Sequence, residues 1–294
     1  MKRVTAIGFF DGVHPGHAAV IKEAVAMAAR LGASPAVVTF DRRPANLLFG
    51  EKSALISDHE TKCRLIKDMF GIEDIINIPF DRALGDMSAE QFVGEYLIQR
   101  FQAVGASVGE DFRFGKGGLG NAELLGRYFP TSAVKTVLLD GAAVSSGRIR
   151  TLLERGEVFA ANRLLGHPYT LCSEVRHGFG RGHKMDLPTA NIALSEEMLR
   201  LPTGVYASAL TVGSERRMAV TNFGHCPTFG GGDYTVETHI PSFSGDIYGE
   251  KIKLEILGEI RPEMRFPSAE ALVAQTALDI EKAREIFERS VYTL

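Results

Sequence analysis

The sequence predicts an α/β domain with a parallel sheet, followed by a small antiparallel β domain and a C-terminal helix. Strand-like and helix-like runs alternate over about the first 140 residues, which is typical of βαβ units. Beyond about residue 169 the pattern changes to β-rich runs separated by Gly, Pro and Asp, as in small barrels. A long amphipathic run then closes the chain, and its spacing predicts a helix.

The first domain is predicted to contain five strands with helices between them. The strand candidates are short apolar or β-branched runs at residues 4–9, 36–40, 74–80, 106–109 and 133–139. Helices are expected at residues 18–31, 57–70 and 88–101, and the last two begin with capping boxes at Ser57 and Ser88. Ligands of such a sheet bind at the carboxyl ends of its strands.

The second domain is predicted to be a β-barrel that ends in a helix. Its strand candidates are residues 169–175, 205–212, 217–222, 234–240 and 251–257, and its helix begins at Pro267 and ends near residue 291. Two short helices, residues 145–155 and 157–165, come first, and Gly166, His167 and Pro168 then break the pattern. We therefore expect one domain over residues 1–160 and another over residues 167–294.

Composition disfavours several classes of protein. The 294 residues carry a net charge of -3, without the basic excess that would hold a nucleic-acid backbone, so we expect no nucleic-acid partner. No apolar run approaches the ~20 residues of a membrane span, and the N-terminus lacks the pattern of a signal peptide. The three cysteines are far apart and fit a reducing compartment. We expect a cytoplasmic protein with no membrane partner, as a monomer or a weak homo-oligomer.

Residues 8–17, Gly-Phe-Phe-Asp-Gly-Val-His-Pro-Gly-His, join the first predicted strand to the first predicted helix. Free backbone N–H groups and the positive end of the helix dipole converge at such a turn, which indicates a phosphate-binding corner. His14 and His17 would hydrogen-bond an α-phosphate and the charge that develops on it. Gly16 would let the backbone approach the phosphate closely, because glycine has no Cβ in between. The alternatives are a pair of metal ligands and two histidines without a function.

The same ten residues closely resemble the signature of the bacterial bifunctional riboflavin kinase/FMN adenylyltransferase family, the FAD synthetases. HxGH alone marks the wider nucleotidyltransferase group, whereas the longer FDGVHxGH string is more specific. The resemblance implies a Rossmann-like nucleotidyltransferase domain, in which the two histidines bind the ATP phosphates during adenylyl transfer. It also implies nucleotide contacts from Gly8, Phe9 and Asp11.

The segment after the fourth predicted strand also resembles this family, which carries a similar G-x-D-F-R-F-G string. The resemblance makes Asp111 a candidate for nucleotide contacts and Phe112 a candidate for flavin contacts. Residues 115–120 match GxGxxG, but a dinucleotide fold is not expected, because these glycines do not join a strand directly to a helix. A flexible glycine loop is the alternative.

Residues 145–150 resemble the family's S-S-T-x-I-R, with Gly147 in the place of Thr. The resemblance makes Ser145, Ser146 and Arg148 candidate nucleotide ligands, and Arg150 would neutralise pyrophosphate as it leaves. An ordinary serine cap with two solvated arginines is the alternative. By contrast, residues 41–44 keep too little of the family's acidic-Pro-His-Pro loop to carry over any flavin or adenine contact.

The second domain contains Pro-Thr-Ala-Asn at residues 188–191, which matches the PTAN motif of the riboflavin kinase fold. In that family the Thr and Asn side chains help to bind Mg²⁺ and ATP phosphates. This assigns Thr189 and Asn191 to the metal and Pro188 to the nucleotide. Oxygen ligands suit a hard cation.

Two further strings of the second domain resemble the riboflavin kinases. Residues 222–229 resemble N-I-G-x-R-P-T-F, and Asn222 is a candidate flavin ligand. Glu237 lies in a string similar to the strand that holds the catalytic glutamate, so it would take the proton from the ribityl hydroxyl. An exposed strand residue is the alternative for Glu237.

One loop departs from the family. Before PTAN the family reads G-R-x-L-G-F, whereas residues 182–187 are Gly-His-Lys-Met-Asp-Leu. Gly182 remains a candidate nucleotide ligand, but His183 replaces Arg and Asp186 replaces Gly. A carboxylate beside ATP phosphates is unfavourable unless it meets Mg²⁺ or a lysine. This change predicts an altered loop or a weaker kinase.

The sequence as a whole predicts a bifunctional enzyme of FAD biosynthesis. ATP and Mg²⁺ would phosphorylate riboflavin to FMN, and a second ATP would adenylylate FMN to FAD with release of pyrophosphate. Three alternatives stay open: an FMN adenylyltransferase with a weakened kinase domain, a transferase with another substrate, and a non-catalytic flavin-binding paralogue.

Overall fold

The computed structural model describes residues 1–176, 189–225, 234–241, 243 and 245–291, and the chain forms two compact units. The first unit comprises Met1–Ala54 and Lys62–Ser146, and the second comprises Leu55–Thr61 and Gly147–Leu294. A short N-terminal segment is therefore part of the second unit, where the backbone of Leu55 exchanges hydrogen bonds of 2.8 Å with Glu197 and Leu199. The domain bounds expected from the sequence motifs, 1–160 and 167–294, stay a prediction.

The first unit is an α/β structure built on a parallel sheet. Its strands are β1 (Arg3–Ile7), β2 (Ser34–Phe40), β3 (Ile75–Ile78), β4 (Ala103–Gly109) and β5 (Thr131–Val134). The helices along this part of the chain are α1 (Pro15–Leu31), α2 (Pro44–Phe49), α3 (His59–Phe70), α4 (Arg82–Gly85), α5 (Ala89–Gln91), which continues with π-helical spacing over Phe92–Arg100, and α6 (Ala122–Gly126). The strand order is β3-β2-β1-β4-β5, which confirms the predicted parallel sheet.

Both faces of this sheet are buried, as parallel sheets require. Val4 and Ala6 of β1 pack with Ile21 of α1 on one face, and Ile7 packs with Leu97 on the other. The chain leaves β1 toward β2 and later returns beside β1 as β4, so the strand order reverses between β1 and β4. Loops diverge at such a switch point and leave a crevice at the carboxyl ends of the strands.

One local prediction in this part of the chain is wrong and one is confirmed. Residues 133–139 do not form one strand. Asp140 and Gly141, at φ values of 53° and 76°, instead make the tight turn of a hairpin between β6 (Leu138–Leu139) and β7 (Ala142–Ala143). At the start of α3 the carboxylate of Asp58 accepts the Thr61 N–H at 2.8 Å, and the capping box at Ser57 stays a prediction. The box at Ser88 has both of its hydrogen bonds.

The second unit is a closed antiparallel barrel preceded by two helices and followed by one. The helices are α7 (Ser146–Glu154), α8 (Val158–Leu165) and α9 (Ala269–Val291), and the strands are β8 (Tyr169–Arg176), β9 (Thr189–Ile192), β10 (Gly204–Val212), β11 (Glu215–His225), β12 (Tyr234–His239) and β13 (Lys251–Pro262). The barrel order is β10-β11-β12-β9-β8-β13. The sequence predicted five of these strands. It did not predict β9, which has only four residues and coincides with the PTAN motif.

Helix α9 packs on the outer face of the barrel, where Ala283 contacts Val205, Ala207 and Val220. One ion pair fixes it: both carboxylate oxygens of Asp279 accept hydrogen bonds from the Arg261 guanidinium of β13, at 2.8 to 3.0 Å. Asp279 is 2% exposed. No helix in the parts of the chain described above is long and apolar enough to cross a membrane.

Replacing Asp279 with Ala is expected to lower the free energy of unfolding of the barrel by about 3 kcal/mol, because the half-buried Arg261 charge would lose its buried partner. Urea unfolding followed by circular dichroism measures this. Glu281→Ala, at an exposed position on the same helix, is the matched control and should stay within about 0.5 kcal/mol of the wild type. A similar, small loss in both variants would contradict the role of the ion pair.

Candidate functional site

The turn after β1 has a strained backbone. Phe10, Gly12 and Val13 have φ values of 56°, 81° and 44°, in the left-handed region that non-glycine residues rarely adopt. For Phe10 and the β-branched Val13 this costs on the order of 1–3 kcal/mol each. Such strain persists only where the surroundings enforce it, and it is typical of ligand sites. The side chains of Phe10 and Val13 are buried, and their packing enforces the strained conformation of the turn.

His14 and His17 form a stacked pair at the start of α1. His14 is the residue before the helix, with extended backbone, and Pro15 is the first helical residue. The two rings lie 3.6 Å apart between centroids at an angle of 20°. A Cβ at Gly16 would lie 3.1 Å from Cε1 of His14, so glycine at this position provides the space that the His14 ring occupies. The predicted histidine pair is therefore brought together at a helix N-terminus.

The pKa of His17 is lowered well below its ordinary value of 6.5. Burial is the main cause, and the neighbouring His14 and Lys62 add to it, because a second positive charge is unfavourable there. His17 is therefore neutral at pH 7. Its Nδ1 is buried and has no hydrogen-bond partner among the residues described. A bound polyphosphate would stabilise the protonated ring and raise this pKa.

The stacked histidines line a cavity of about 460 Å³, here called the histidine cavity. It lies where the loops after β1, β4 and β5 meet the residues before α7, as the switch point between β1 and β4 predicts. Its lining residues are Ile7, Gly8, Phe9, Phe10, His14, Gly16, His17, Val20, Gly109, Asp111, Phe112, Val134, Lys135, Thr136, Val137, Ala143, Val144, Ser145 and Ser146. Most first-domain candidates from the sequence are thus gathered in one place.

Asp11 and Ser146 form part of the support for this cavity. The Ser146 hydroxyl donates a hydrogen bond of 2.9 Å to the backbone carbonyl of Asp11, which ties the start of α7 to the turn after β1. Asp11 itself is buried and does not appear among the lining residues. The direct contact of Asp11 with the nucleotide stays a prediction. The structure shows instead that the Asp11 carbonyl accepts the hydrogen bond from Ser146, which restrains the turn after β1.

Lys135 and Thr136 of the histidine cavity were not singled out from the sequence, because they follow a strand without any motif. Glu110 holds this segment: its carboxylate accepts the Thr136 N–H at 2.7 Å, and this bond lowers the pKa of Glu110. A carboxylate that accepts a backbone N–H at this distance restrains the loop that forms one wall of the cavity.

A second cavity, of about 390 Å³, adjoins the first and is here called the aromatic cavity. It shares Gly8, Phe9 and Phe112 with the histidine cavity. Its other lining residues are mostly apolar: Phe40, Pro44, Ala45, Leu48, Phe49, Phe80, Leu84, Gly85, Phe92, Arg113, Phe114, Gly115 and Gly118. Residues 41–44, whose family contacts could not be carried over, thus contribute Pro44 to this wall, and the rest of α2 contributes Ala45, Leu48 and Phe49. Sequence reasoning missed these residues because, taken singly, they look like ordinary core.

The glycines of residues 115–120 allow close packing at the wall of the aromatic cavity. Gly115 has a φ of 70°, and a Cβ there would lie 2.6 Å from the backbone nitrogen of Ala89. A Cβ at Gly120 would lie 2.7 Å from the Phe114 ring. Phe114 and Gly120 also exchange backbone hydrogen bonds of 3.1 and 2.8 Å. The segment is thus neither a dinucleotide motif nor a loop without contacts.

The arginines of α7 belong to the second unit. Arg148 is exposed, whereas Arg150 is buried. Their predicted contacts with phosphate stay predictions, as does the effect of Gly147.

The barrel brings three further candidates into one row across its strands. Asn191 of β9 lies directly opposite Glu237 of β12, and Glu237 lies directly opposite Asn222 of β11. Side chains of directly opposed residues share one face of a sheet, and all three are half-buried. Thr189 lies two residues before Asn191 and therefore on the same face. Oxygen atoms of a hydroxyl, two amides and a carboxylate are thus gathered on the outer face of the barrel.

Gly182, Pro188, His183 and Asp186 lie outside the described residues, so the departure in the loop before PTAN has no structural account. Within the residues that the structure describes, no group of three His, Cys, Asp or Glu side chains is placed to hold a metal ion. The metal-pair alternative for His14 and His17 therefore has no third ligand there. The donor set at Thr189 and Asn191 is of a different kind, since it consists of neutral oxygens.

Comparisons with known proteins divide the chain in the same order as the structure. A family model described as FAD synthetase matches residues 1–149, and one described as riboflavin kinase matches residues 165–287. Three relatives, each named bifunctional riboflavin kinase/FMN adenylyltransferase, match nearly the whole chain. They are those of Listeria monocytogenes (33% identity, 98% of this chain and 94% of the relative), Bacillus subtilis (35%, 97% and 93%) and Escherichia coli K12 (32%, 97% and 92%).

One solved structure resembles both units. It is named a macrolide-efflux protein from Streptococcus pneumoniae, and it covers 96% of this chain and 94% of its own with a TM-score of 0.82 and 30% identity. This likeness supports the α/β unit followed by a barrel.

Proposed function

Since the chain belongs to the bifunctional riboflavin kinase/FMN adenylyltransferase family, we propose that it makes FMN from riboflavin and FAD from FMN, with ATP as the donor in both steps. One observation carries the second step: the histidine cavity, with its phosphate corner, adjoins an apolar aromatic cavity through shared residues. Adenylyl transfer to FMN needs such a pair of neighbouring sites.

In the adenylyl-transfer step, ATP occupies the histidine cavity and the flavin ring of FMN occupies the aromatic cavity. A phosphate oxygen of FMN attacks the α-phosphorus of ATP, and the bond from this phosphorus to the bridging oxygen breaks, so pyrophosphate leaves. His14 and His17 bind the α-phosphate and stabilise the charge that develops on it. Ser145, Ser146 and Asp111 bind the nucleotide, and Arg148 and Arg150 neutralise the leaving group.

In the kinase step, the ribityl hydroxyl of riboflavin attacks the γ-phosphorus of ATP and ADP leaves. Glu237 takes the proton from this hydroxyl, and Asn222 orients the flavin. Thr189 and Asn191 fit a hard cation, because their oxygens lie on one face beside a carboxylate. They would hold Mg²⁺, which supplies charge neutralisation at the ATP phosphates when bound. Gly182 and Pro188 would complete the nucleotide site.

The arrangement of the barrel row favours two activities over one. Asn191, Glu237 and Asn222 are directly opposed across three strands, which places the proposed base beside a proposed metal ligand and a proposed flavin ligand and so supports a kinase site. An FMN adenylyltransferase with a weakened kinase domain remains the second candidate, because His183 and Asp186 replace family residues in the loop before PTAN. We place the enzyme in the cytoplasm, as a monomer or a weak homo-oligomer without a nucleic-acid or membrane partner.

The test incubates the purified protein with ATP and Mg²⁺, with either riboflavin or FMN, and separates the flavins by chromatography. FMN followed by FAD from riboflavin supports both steps. FAD from FMN but no FMN from riboflavin supports the single-activity candidate. If neither product forms with any of several divalent cations, or with reduced flavin, the proposed function is wrong.

Filling the aromatic cavity is expected to weaken FMN binding selectively. Ala45 lies on α2, is half-buried and lines the aromatic cavity but not the histidine cavity. We expect Ala45→Trp to raise KM for FMN by about tenfold, which corresponds to roughly 1.4 kcal/mol, while KM for ATP stays within about twofold. Ala29→Trp, at an exposed position of α1, is the control. Equal changes in both KM values would contradict the assignment of the flavin to this cavity.

A further inference from the structure

Lys62 is a buried lysine beside the phosphate corner that the proposed reaction does not use. It is 2% exposed, although it lies in the first turn of α3, where a lysine is ordinarily solvated. An ammonium group is almost never fully buried unless it is paired, because the loss of its hydration is costly. Its position therefore requires strong compensating contacts.

The ammonium group of Lys62 joins the carboxyl ends of two central strands. Its Nζ donates to the carbonyl of Phe9 at 3.0 Å, to the hydroxyl of Thr39 at 2.9 Å and to the carbonyl of Phe40 at 3.3 Å. The three donors of an ammonium group thus have three acceptors. The Thr39 hydroxyl in turn donates to the same Phe9 carbonyl at 3.0 Å. These hydrogen bonds form a small network that links the residues just after β1 to the end of β2.

Lys62 also holds the side chain of Phe9. Its Nζ lies 4.5 Å from the centre of the Phe9 ring, within the range of a cation–π interaction. Phe9 lines both the histidine cavity and the aromatic cavity. Both the backbone and the ring at the boundary of the two cavities are therefore fixed by one buried cation.

We propose that Lys62 is a positioning residue for adenylyl transfer: it fixes Phe9 at the boundary where the attacking FMN phosphate and the α-phosphate of ATP meet. This inference rests on the proposed function. A displacement of about 1 Å between reacting groups can cost on the order of 10²-fold in rate, so a restraint at this boundary affects the chemical step. Lys62 does not line either cavity, and it acts through Phe9.

The charge of Lys62 gives this role a second, separate readout. Lys62 is one of the causes that lower the pKa of His17, so its removal should raise that pKa. The titratable and charged groups around His17 are His14 on the same helix, Lys62 on α3, the buried Asp11, and Asp111 and Lys135 of the cavity wall. The experiment changes Lys62 and leaves the other four groups in place, so a change in the pKa of His17 can be attributed to the charge of Lys62.

The experiment compares Lys62→Met with the wild type in the full chain, with FMN and ATP for FAD formation and with riboflavin and ATP for FMN formation. We expect Lys62→Met to lower kcat for FAD formation by about 100-fold and to leave riboflavin phosphorylation within about twofold. In the pH profile of kcat/KM for ATP, the transition that follows the protonation of His17 should move to higher pH, because His17 protonates more easily without the nearby cation. Lys67→Met, at an exposed position on the same helix, is the matched control.

Three results would overturn the proposal: a loss of FAD formation smaller than about threefold, an equal loss of both activities, or no movement of the His17 transition in the pH profile. If Lys62→Met does not fold, Thr39→Val decides instead, since it removes one partner of Lys62 in nearly the same volume. It should lower kcat for FAD formation by about tenfold, and no change in this variant would equally overturn the role of Lys62. A wild type that makes no FAD from FMN would refute the proposed function itself, so the two failures are distinguishable.

Discussion

Replacing His17 with Ala is expected to lower FAD formation from FMN by about 10²–10³-fold, the usual cost of removing one donor to a developing negative charge. His17 stacks on His14 at the N-terminus of α1, where the α-phosphate of ATP would bind. Phosphorylation of riboflavin should stay within about twofold of the wild type, because the row that contains Glu237 lies in the other unit. Both rates are measured in the same preparation by chromatography of the flavins.

The control for this variant is His59→Ala, at an exposed position on α3, which should leave both activities unchanged.

Since the pKa of His17 is lowered in the folded protein, the neutral ring contributes stability that is fully present above pH 6.5. That contribution is lost as the pH falls from 6.5 toward the lowered pKa. His17→Gln should therefore flatten the pH dependence of the free energy of unfolding below pH 6.5. If His17→Ala stays folded but loses both activities, His17 does not act in adenylyl transfer alone, and its assignment to that site would be wrong.

Replacing Glu237 with Gln is expected to produce the opposite pattern. The amide keeps the volume of the side chain but cannot accept the proton of the ribityl hydroxyl, so riboflavin phosphorylation should fall by about 10²–10⁴-fold. FAD formation from added FMN should remain within about twofold. Glu174→Gln, at an exposed position of β8, is the matched control. If Glu237→Gln keeps more than a third of the kinase rate, Glu237 is not the base.

The geometry of the corner at residues 8–17 could be predicted from the sequence because its parts are contiguous. Gly8, Gly16 and the two histidines lie within ten residues, and a strand followed by a helix N-terminus determines their geometry locally. The fold class followed from periodicities of the same short range. The hairpin turn at Asp140 and Gly141 was missed because the β-rich run extends across the end of β5, and only the pairing of strands separates β5 from β6.

The aromatic cavity and Lys62 could not be predicted in this way. Ala45, Leu84 and Phe92 come from separate helices, and nothing in their local sequence distinguishes a cavity wall from a core. Lys62 lies in a polar helical turn, and only its tertiary contacts with Phe9 and Thr39 show that it is buried. In the barrel, the opposition of Asn191 and Glu237 depends on strand register, which the motifs alone do not give.

The most direct test of two phosphate transfers on one chain follows radioactive label from ATP into the flavins. With riboflavin, Mg²⁺ and ATP labelled at the γ-phosphate, the label should enter FMN and then FAD. With ATP labelled at the α-phosphate, the label should enter FAD alone, and His17→Ala should slow only this second transfer, by about 10²–10³-fold. Label from the α-phosphate that appears in FMN, or that never enters a flavin when FMN is supplied, would contradict adenylyl transfer at the histidine cavity.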